Sequence, residues 1–142
     1  MDLLKQENVR ICDAPAHWQD AIRISVEPLV EGGYVEDRYS EEIIANLDKF
    51  GPYIVIADNI ALPHARAEQG VLKTQLAVTL FREPVYFDGK DMPARLFVTL
   101  AAADVDSHQD ALCAISEMLG NEETLEKILN AENAEILYNC FC

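Results

Sequence analysis

Positive charge is scarce in this sequence. Only 11 of its 142 residues are Lys or Arg, against 25 Asp or Glu, for a formal net charge of -14. A surface this acidic repels phosphate backbones and anionic headgroups, which excludes nucleic acid as a partner and argues against a membrane surface. No run of the ~18 apolar residues that a bilayer span requires occurs anywhere. The start, "MDLLKQENVR", has no basic region followed by an apolar stretch. The expectation is a soluble, cytoplasmic protein without membrane insertion. Cysteine is sparse as well: Cys12, Cys113, Cys140 and Cys142 lack the dense spacing of a secreted disulfide scaffold and read as free thiols. Cys140-Phe141-Cys142 is no CxxC pair and has no histidine near it, so it reads as a frayed end rather than a zinc or redox site. Repeats, low-complexity tracts and linkers are missing too.

What is present is an ordinary globular balance, 50% hydrophobic and 25% charged. A chain of this length fits one domain, residues 1–142, which buries roughly 70% of the surface its unfolded form exposes. After a short strand at Val9 to Cys12, Asp13 and Pro15 read as a helix start, with Trp18, Ile22, Ser25, Val26 and Leu29 following at helical spacing up to Gly32-Gly33. A second helix is expected from Tyr34 through Tyr39, Ile43, Ile44 and Leu47 to Gly51-Pro52. The period then changes: "YIVIA" (Tyr53 to Ala57), "TQLAVTLF" (Thr74 to Phe81) and "ARLFVTLAAA" (Ala94 to Ala103) read as strands. "PVYF" (Pro84 to Phe87) adds a short edge strand before an Asp88-Gly89 turn. Helical spacing returns from Ser107 to Gly120, again from the Asn121 cap through Leu129, and over Glu132 to Tyr138. Helices bracketing a run of strands, without strict alternation, predict an α/β (α+β) fold: a mixed β-sheet flanked by helices on both faces.

Three histidines can be weighed one by one. His17, beside Trp18 in an amphipathic helix, reads as a surface residue. His64 follows Pro63 in "IADNIALPHARAEQG", on a stiff corner where a strand ends, with Arg66 close by; an imidazole so held suits the handling of anions at neutral pH. His108 lies in "DVDSHQDAL", where Ser107 and Asp110 have the spacing of a capping box, which puts His108 at the first helical position. The free N–H groups and positive end of a helix favour a bound anion there. Both histidines follow strands, so they are expected to meet on one edge of the sheet, where open α/β sheets place their sites.

Three chemistries use such a pair. A metal site wants a third ligand, and Asp58, Asp104 and Asp106 are no better than ordinary loop acids. A histidine base for a serine or cysteine needs a nucleophile elbow or a placed thiol, and neither occurs. The third is a nucleophilic histidine that takes a phosphoryl group on a ring nitrogen, while the second histidine, a helix N-terminus and a cation such as Arg66 or Lys73 hold the oxygens. That option uses every feature present, and calls for no metal or cofactor.

"IALPHA", with the following "GVLKT" and the later "DSHQ", resembles the IIA components of the mannitol/fructose superfamily (EIIA type 2) of the bacterial phosphoenolpyruvate-dependent sugar phosphotransferase system. The likeness runs over nearly the whole chain. "KFGPYIVIADNIALPHAR", "HWQDAI" and "AAADVDSHQ" look most like the ascorbate-type IIA branch. The resemblance implies a mixed sheet flanked by helices and a phosphorelay. The histidine matching His64 accepts phosphate at Nε2 from the phosphocarrier protein HPr and passes it to a cysteine of a IIB partner, which phosphorylates sugar at the IIC permease. The histidine matching His108 steadies the phosphoryl group. The acidic net charge suits a basic docking face on the phosphocarrier. One departure stands out: mannitol-type members carry an active-site arginine on the preceding helix, and by ungapped reading its place is taken by Asp48, next to Lys49, which leaves Arg66 or Lys73 as substitutes. A regulatory, nitrogen-type IIA relay is the nearby alternative. A metal-dependent hydrolase and a non-catalytic binding module are the distant ones.

Overall fold

In the computed structural model, residues 3–88 and 92–141 are described. Among the described residues five strands form one mixed sheet: β1 (Leu4–Cys12), β2 (Val55–Ala57), β3 (Asn59–Ala61), β4 (Gln75–Val85) and β5 (Ala94–Ala101), in the spatial order β1-β4-β5-β3-β2. β1 runs parallel to β4 and β3 parallel to β5, whereas β4 and β5 are antiparallel. Helices α1 (Trp18–Glu31) and α2 (Tyr39–Phe50) precede most of the sheet, and α3 (Val105–Leu119), α4 (Glu122–Leu129) and α5 (Ala134–Cys140) follow it.

The alternation of the central strands builds two cores. Ala77 and Phe81 of β4 and Phe97 and Ala101 of β5 pack with Ile22, Val26 and Leu29 of α1 and Ile43 and Leu47 of α2. Leu76, Val78 and Leu80, with Leu96, Val98 and Leu100, turn to the other face and meet Ala111 and Ile115 of α3, Ile128 of α4 and Leu137 of α5. Successive side chains of a strand point to opposite faces, so near-continuous apolar runs such as "LAVTLF" and "RLFVTLA" feed both layers at once. The expected sheet with helices on both faces is what forms.

Several boundaries differ from the sequence reading. β1 starts five residues before Val9; its outer stretch, Lys5 to Glu7, is exposed, so no apolar pattern marks it. α1 starts at Trp18 rather than at Asp13, because Asp13 accepts from Arg82 Nη1 at 2.8 Å and the Ala14 amide donates to Glu83 Oε1 at 2.8 Å. Those bonds tie the segment to β4, and His17 becomes an exposed N-cap without a side-chain cap bond. α2 starts at Tyr39 rather than Tyr34, since Val35 bridges to Val71 and the Glu36 amide donates to Gly70 O at 2.8 Å. Gly70 lies at φ +129°, a conformation that a side chain disfavours.

"PVYF" is no separate strand, because Pro84 and Val85 continue β4. Gly89 of the expected Asp88-Gly89 turn lies outside the described residues, as does Cys142. The chain end is not frayed at Phe141: that ring is 2% exposed and packs into the second core after α5. Cys12, Cys113 and Cys140 are free thiols. Among the described residues no helix is long and apolar enough to cross a membrane.

Candidate active site

Of the segment expected as a strand, Tyr53 to Ala57, only Val55 to Ala57 is one, and it is the first arm of a hairpin. β2 and β3 pair antiparallel, and the chain reverses at Asp58 and Asn59, whose φ of 68° suits the left-handed tolerance of asparagine. The strand that delivers His64 is therefore β3. Its parallel neighbour β5 leads into α3 and His108, so both histidines emerge at carboxyl ends of adjacent strands. The His64 and His108 rings lie 5.6 Å apart by centroid, tilted by 54°.

His64 is held from several sides. Its Nδ1 lies 2.7 Å from Leu62 O. A carbonyl only accepts, so Nδ1 carries the proton and Nε2 keeps the lone pair. Tyr53 stands edge-on to the ring, with centroids 5.4 Å apart and planes at 89°, and its hydroxyl donates to His64 O at 2.8 Å. Burial, more than the Leu62 bond opposes it, pushes the His64 pKa below the ordinary histidine value, and His108 adds to that lowering. The imidazole is thus kept neutral and nucleophilic at neutral pH.

The loop beyond His64 is pinned by side chains that the sequence reading passed over. Tyr39, fully buried, accepts from the Ala65 amide at 3.0 Å and donates to Leu100 O at 2.8 Å, which joins the His64 loop to the end of β5. Burial raises this phenol's pKa to about 12, so it stays protonated. Gln69 accepts from the Arg66 amide at 2.9 Å and from Asn46 Nδ2 at 3.0 Å. Tyr39 stood out only as a helical apolar position, since nothing local announces a partner so far along the chain. Tyr39→Phe leaves the part-buried Ala65 amide without its acceptor and the buried Leu100 carbonyl without its donor, and urea unfolding should show a loss of about 1–3 kcal/mol. An unchanged midpoint would show that the pin contributes nothing.

His108 is not at the first helical position. Asp104 caps α3, accepting from the Ser107 amide at 2.7 Å, while the His108 amide donates to Asp104 O at 3.1 Å as part of the first turn. Ser107 is therefore the third residue of the helix, and the Ser107/Asp110 capping box does not form. The aspartate three residues earlier is the stronger cap, because its carboxylate meets both the amide dipoles and the positive helix end. Bonds from the Ser107 amide and hydroxyl depress the Asp104 pKa. The helix end already holds its own anion, so the Ser107 and Asp106 amides are not free for a ligand.

The two histidines open into a cavity of about 750 Å³, which Asn46, Phe50, Arg66, Glu68, Asp104 and Val105 also line. Arg66 is at the rim, its side chain 73% exposed and 3.2 Å from Glu68 Oε1, a pairing weak enough for the guanidinium to turn elsewhere. Lys73 is not among the lining residues. Asp48 and Lys49 are exposed and also stand outside it, and Lys49 Nζ lies 5.2 Å from the Phe50 ring centroid. Where the resemblance implied an arginine, α2 offers the Asn46 amide instead. Among the described residues no group of three or more His, Cys, Asp or Glu is placed to hold a metal ion.

This arrangement can be set against known proteins. Residues 2–141 match the family model described as phosphoenolpyruvate-dependent sugar phosphotransferase system, EIIA 2. The chain is 38% identical over 136 residues to the mannitol-specific cryptic phosphotransferase enzyme IIA component of Escherichia coli, covering 96% of this chain and 92% of that one. A solution structure of an Escherichia coli protein so described superposes with a TM-score of 0.92 at 37% identity, over 99% of this chain and 95% of that one. The ascorbate-specific IIA component of Escherichia coli is 34% identical over 128 residues, or 89% of this chain and 83% of that one. The mannitol-type relative is thus the more similar of the two, against the expected leaning to the ascorbate branch. The IIA protein in the Escherichia coli complex of mannitol IIA with phosphorylated IIB has a TM-score of 0.84 and 28% identity, over 97% of this chain and 96% of that one.

Proposed function

Since the chain belongs to the EIIA 2 family of the phosphoenolpyruvate-dependent sugar phosphotransferase system, we propose that it is a phosphoryl carrier working through a phosphohistidine at His64. The observation that carries this reading is the Nδ1–H bond to Leu62 O, which leaves Nε2 with its lone pair beside the His108 ring. In the first step Nε2 attacks the phosphorus of the phosphohistidine on HPr; an N–P bond forms as the donor's N–P bond breaks, and Nδ1 keeps its proton. In the second, a cysteine thiolate of a IIB component attacks the same phosphorus and Nε2 recovers its lone pair. No metal or cofactor takes part in either step.

His108 and Arg66 are the groups suited to the transferring oxygens. The phosphoryl group passes through a loose transition state with charge spread over three oxygens, so placed donors outweigh any covalent help. The surroundings suit protein partners. Phe50 and Val105, at 67% and 71% exposure, put apolar surface on the cavity rim, and Glu68 and Asp104 put negative charge there. Such a rim is complementary to a docking face that is basic around an apolar centre, the chemistry this reading asks of HPr and then of the IIB that serves the IIC permease. The relatives are named for mannitol and for ascorbate, which supports uptake of a sugar derivative as the process served.

The test is incubation with phosphoenolpyruvate, enzyme I and HPr. An acid-labile, base-stable phosphate on the protein is the expected product, and a protein that stays unlabelled would refute the carrier role. The net charge of -14 adds a kinetic expectation. Association with HPr should slow as salt rises, because steering between unlike charges is screened beyond about 8 Å at physiological ionic strength. An association rate flat from low to high salt would rule out electrostatic docking.

A further inference from the structure

Tyr53 touches the nucleophile twice, and the two contacts act on different parts of it. The phenol ring stands edge-on to the imidazole at 5.4 Å, while the hydroxyl donates to the carbonyl of His64 at 2.8 Å. The side chain of Asn46 bonds to the same hydroxyl, and Asn46 is held in turn by the buried Gln69. Gln69 also accepts from the Arg66 amide, so one chain of hydrogen bonds runs from α2 to both ends of the His64–Arg66 segment. Leu62 O holds one edge of the imidazole, and a single hydrogen bond leaves the ring free to swing about it. A flat wall at right angles to the ring removes that freedom.

From this geometry we infer that Tyr53 is a positioning residue for phosphoryl transfer: its ring, packed perpendicular to the His64 imidazole, limits the swing of that ring, and its hydroxyl fixes the backbone that carries it. The inference rests on His64 being the phosphorylated residue. A misplacement on the order of 1 Å costs about a hundredfold in a transfer that needs aligned atoms. Removing the ring should therefore slow the step at saturating partner without weakening the partner's binding. The hydroxyl contributes one neutral hydrogen bond, equivalent to roughly two- to tenfold.

The experiment compares the wild type, Tyr53→Phe and Tyr53→Leu in two readouts. Transfer from the phosphorylated protein to IIB is followed over a range of IIB concentrations. Tyr53→Leu should lower the saturating rate about ten- to a hundredfold with KM little changed, and Tyr53→Phe should recover most of it. The second readout is the NMR titration of the His64 ring, which needs no phosphorylation. Around that ring stand His108 from α3, Tyr53, and the rim charges Arg66, Glu68 and Asp104. Only the wall changes between variants, so the midpoint should rise toward the ordinary histidine value in Tyr53→Leu, as burial is lost, and stay put in Tyr53→Phe. A Leu variant with wild-type rate and midpoint overturns the inference alone. A rise in KM alone makes Tyr53 a docking contact and also overturns it. A wild type that takes no phosphate overturns the carrier reading, and the inference falls with it.

Discussion

His64→Ala abolishes phosphoryl uptake from HPr and leaves the fold standing. The loss is complete because the N–P bond has no other acceptor in place: of the two cavity histidines, His64 is the one whose Nδ1 is committed to a carbonyl, with Nε2 left unprotonated. The fold survives because the loop is secured by groups other than the imidazole. The Tyr39 hydroxyl, the Gln69 amide and the Leu100 amide, which donates to Pro63 O at 3.0 Å, all hold its backbone. Phosphate transfer from labelled HPr, read beside a urea unfolding curve, checks both halves. Undiminished labelling of the mutant would move the nucleophile elsewhere.

His108→Ala should still take phosphate on His64, but pass it to IIB more slowly by roughly ten- to a thousandfold, the scale of losing one oriented donor. The structure pushes the expectation toward the upper end of that range. The sequence credits α3 with free amides next to the phosphate, yet Asp104 occupies those of Ser107 and Asp106 and adds a negative charge to the lining. With α2 presenting Asn46 instead of a cation, the His108 ring and Arg66 have fewer helpers. His108→Gln, which keeps an N–H donor, should outperform alanine in single-turnover transfer. Wild-type transfer by the alanine mutant would return His108 to an incidental place at a helix start. Phosphate found on His108 would exchange the two roles.

Much of the fold was legible because its signals are local. Ile22, Val26 and Leu29 repeat at helical spacing, Asn121 caps α4 by accepting from the Thr124 amide at 3.1 Å, and the apolar runs of β4 and β5 read as central strands. The boundaries that moved did so for a shared reason. Asp13, Val35 and Glu36 each found a partner far along the chain, and a long-range bond overrode the local preference.

The sequence by itself determined the two-faced mixed sheet, the acidic surface and the pair of histidines near strand ends, since spacing, charge and residue type are properties of neighbours along the chain. Only the tertiary structure decided that β3 rather than β2 delivers His64 and lies parallel to β5, which brings His64 within 5.6 Å of His108. It alone placed Asp104 on the amides of α3 and Tyr39 and Tyr53 on the nucleophile's loop. Those contacts depend on which strands pair and in what register, and pairing is set by packing over the whole sheet, which no local window of residues contains.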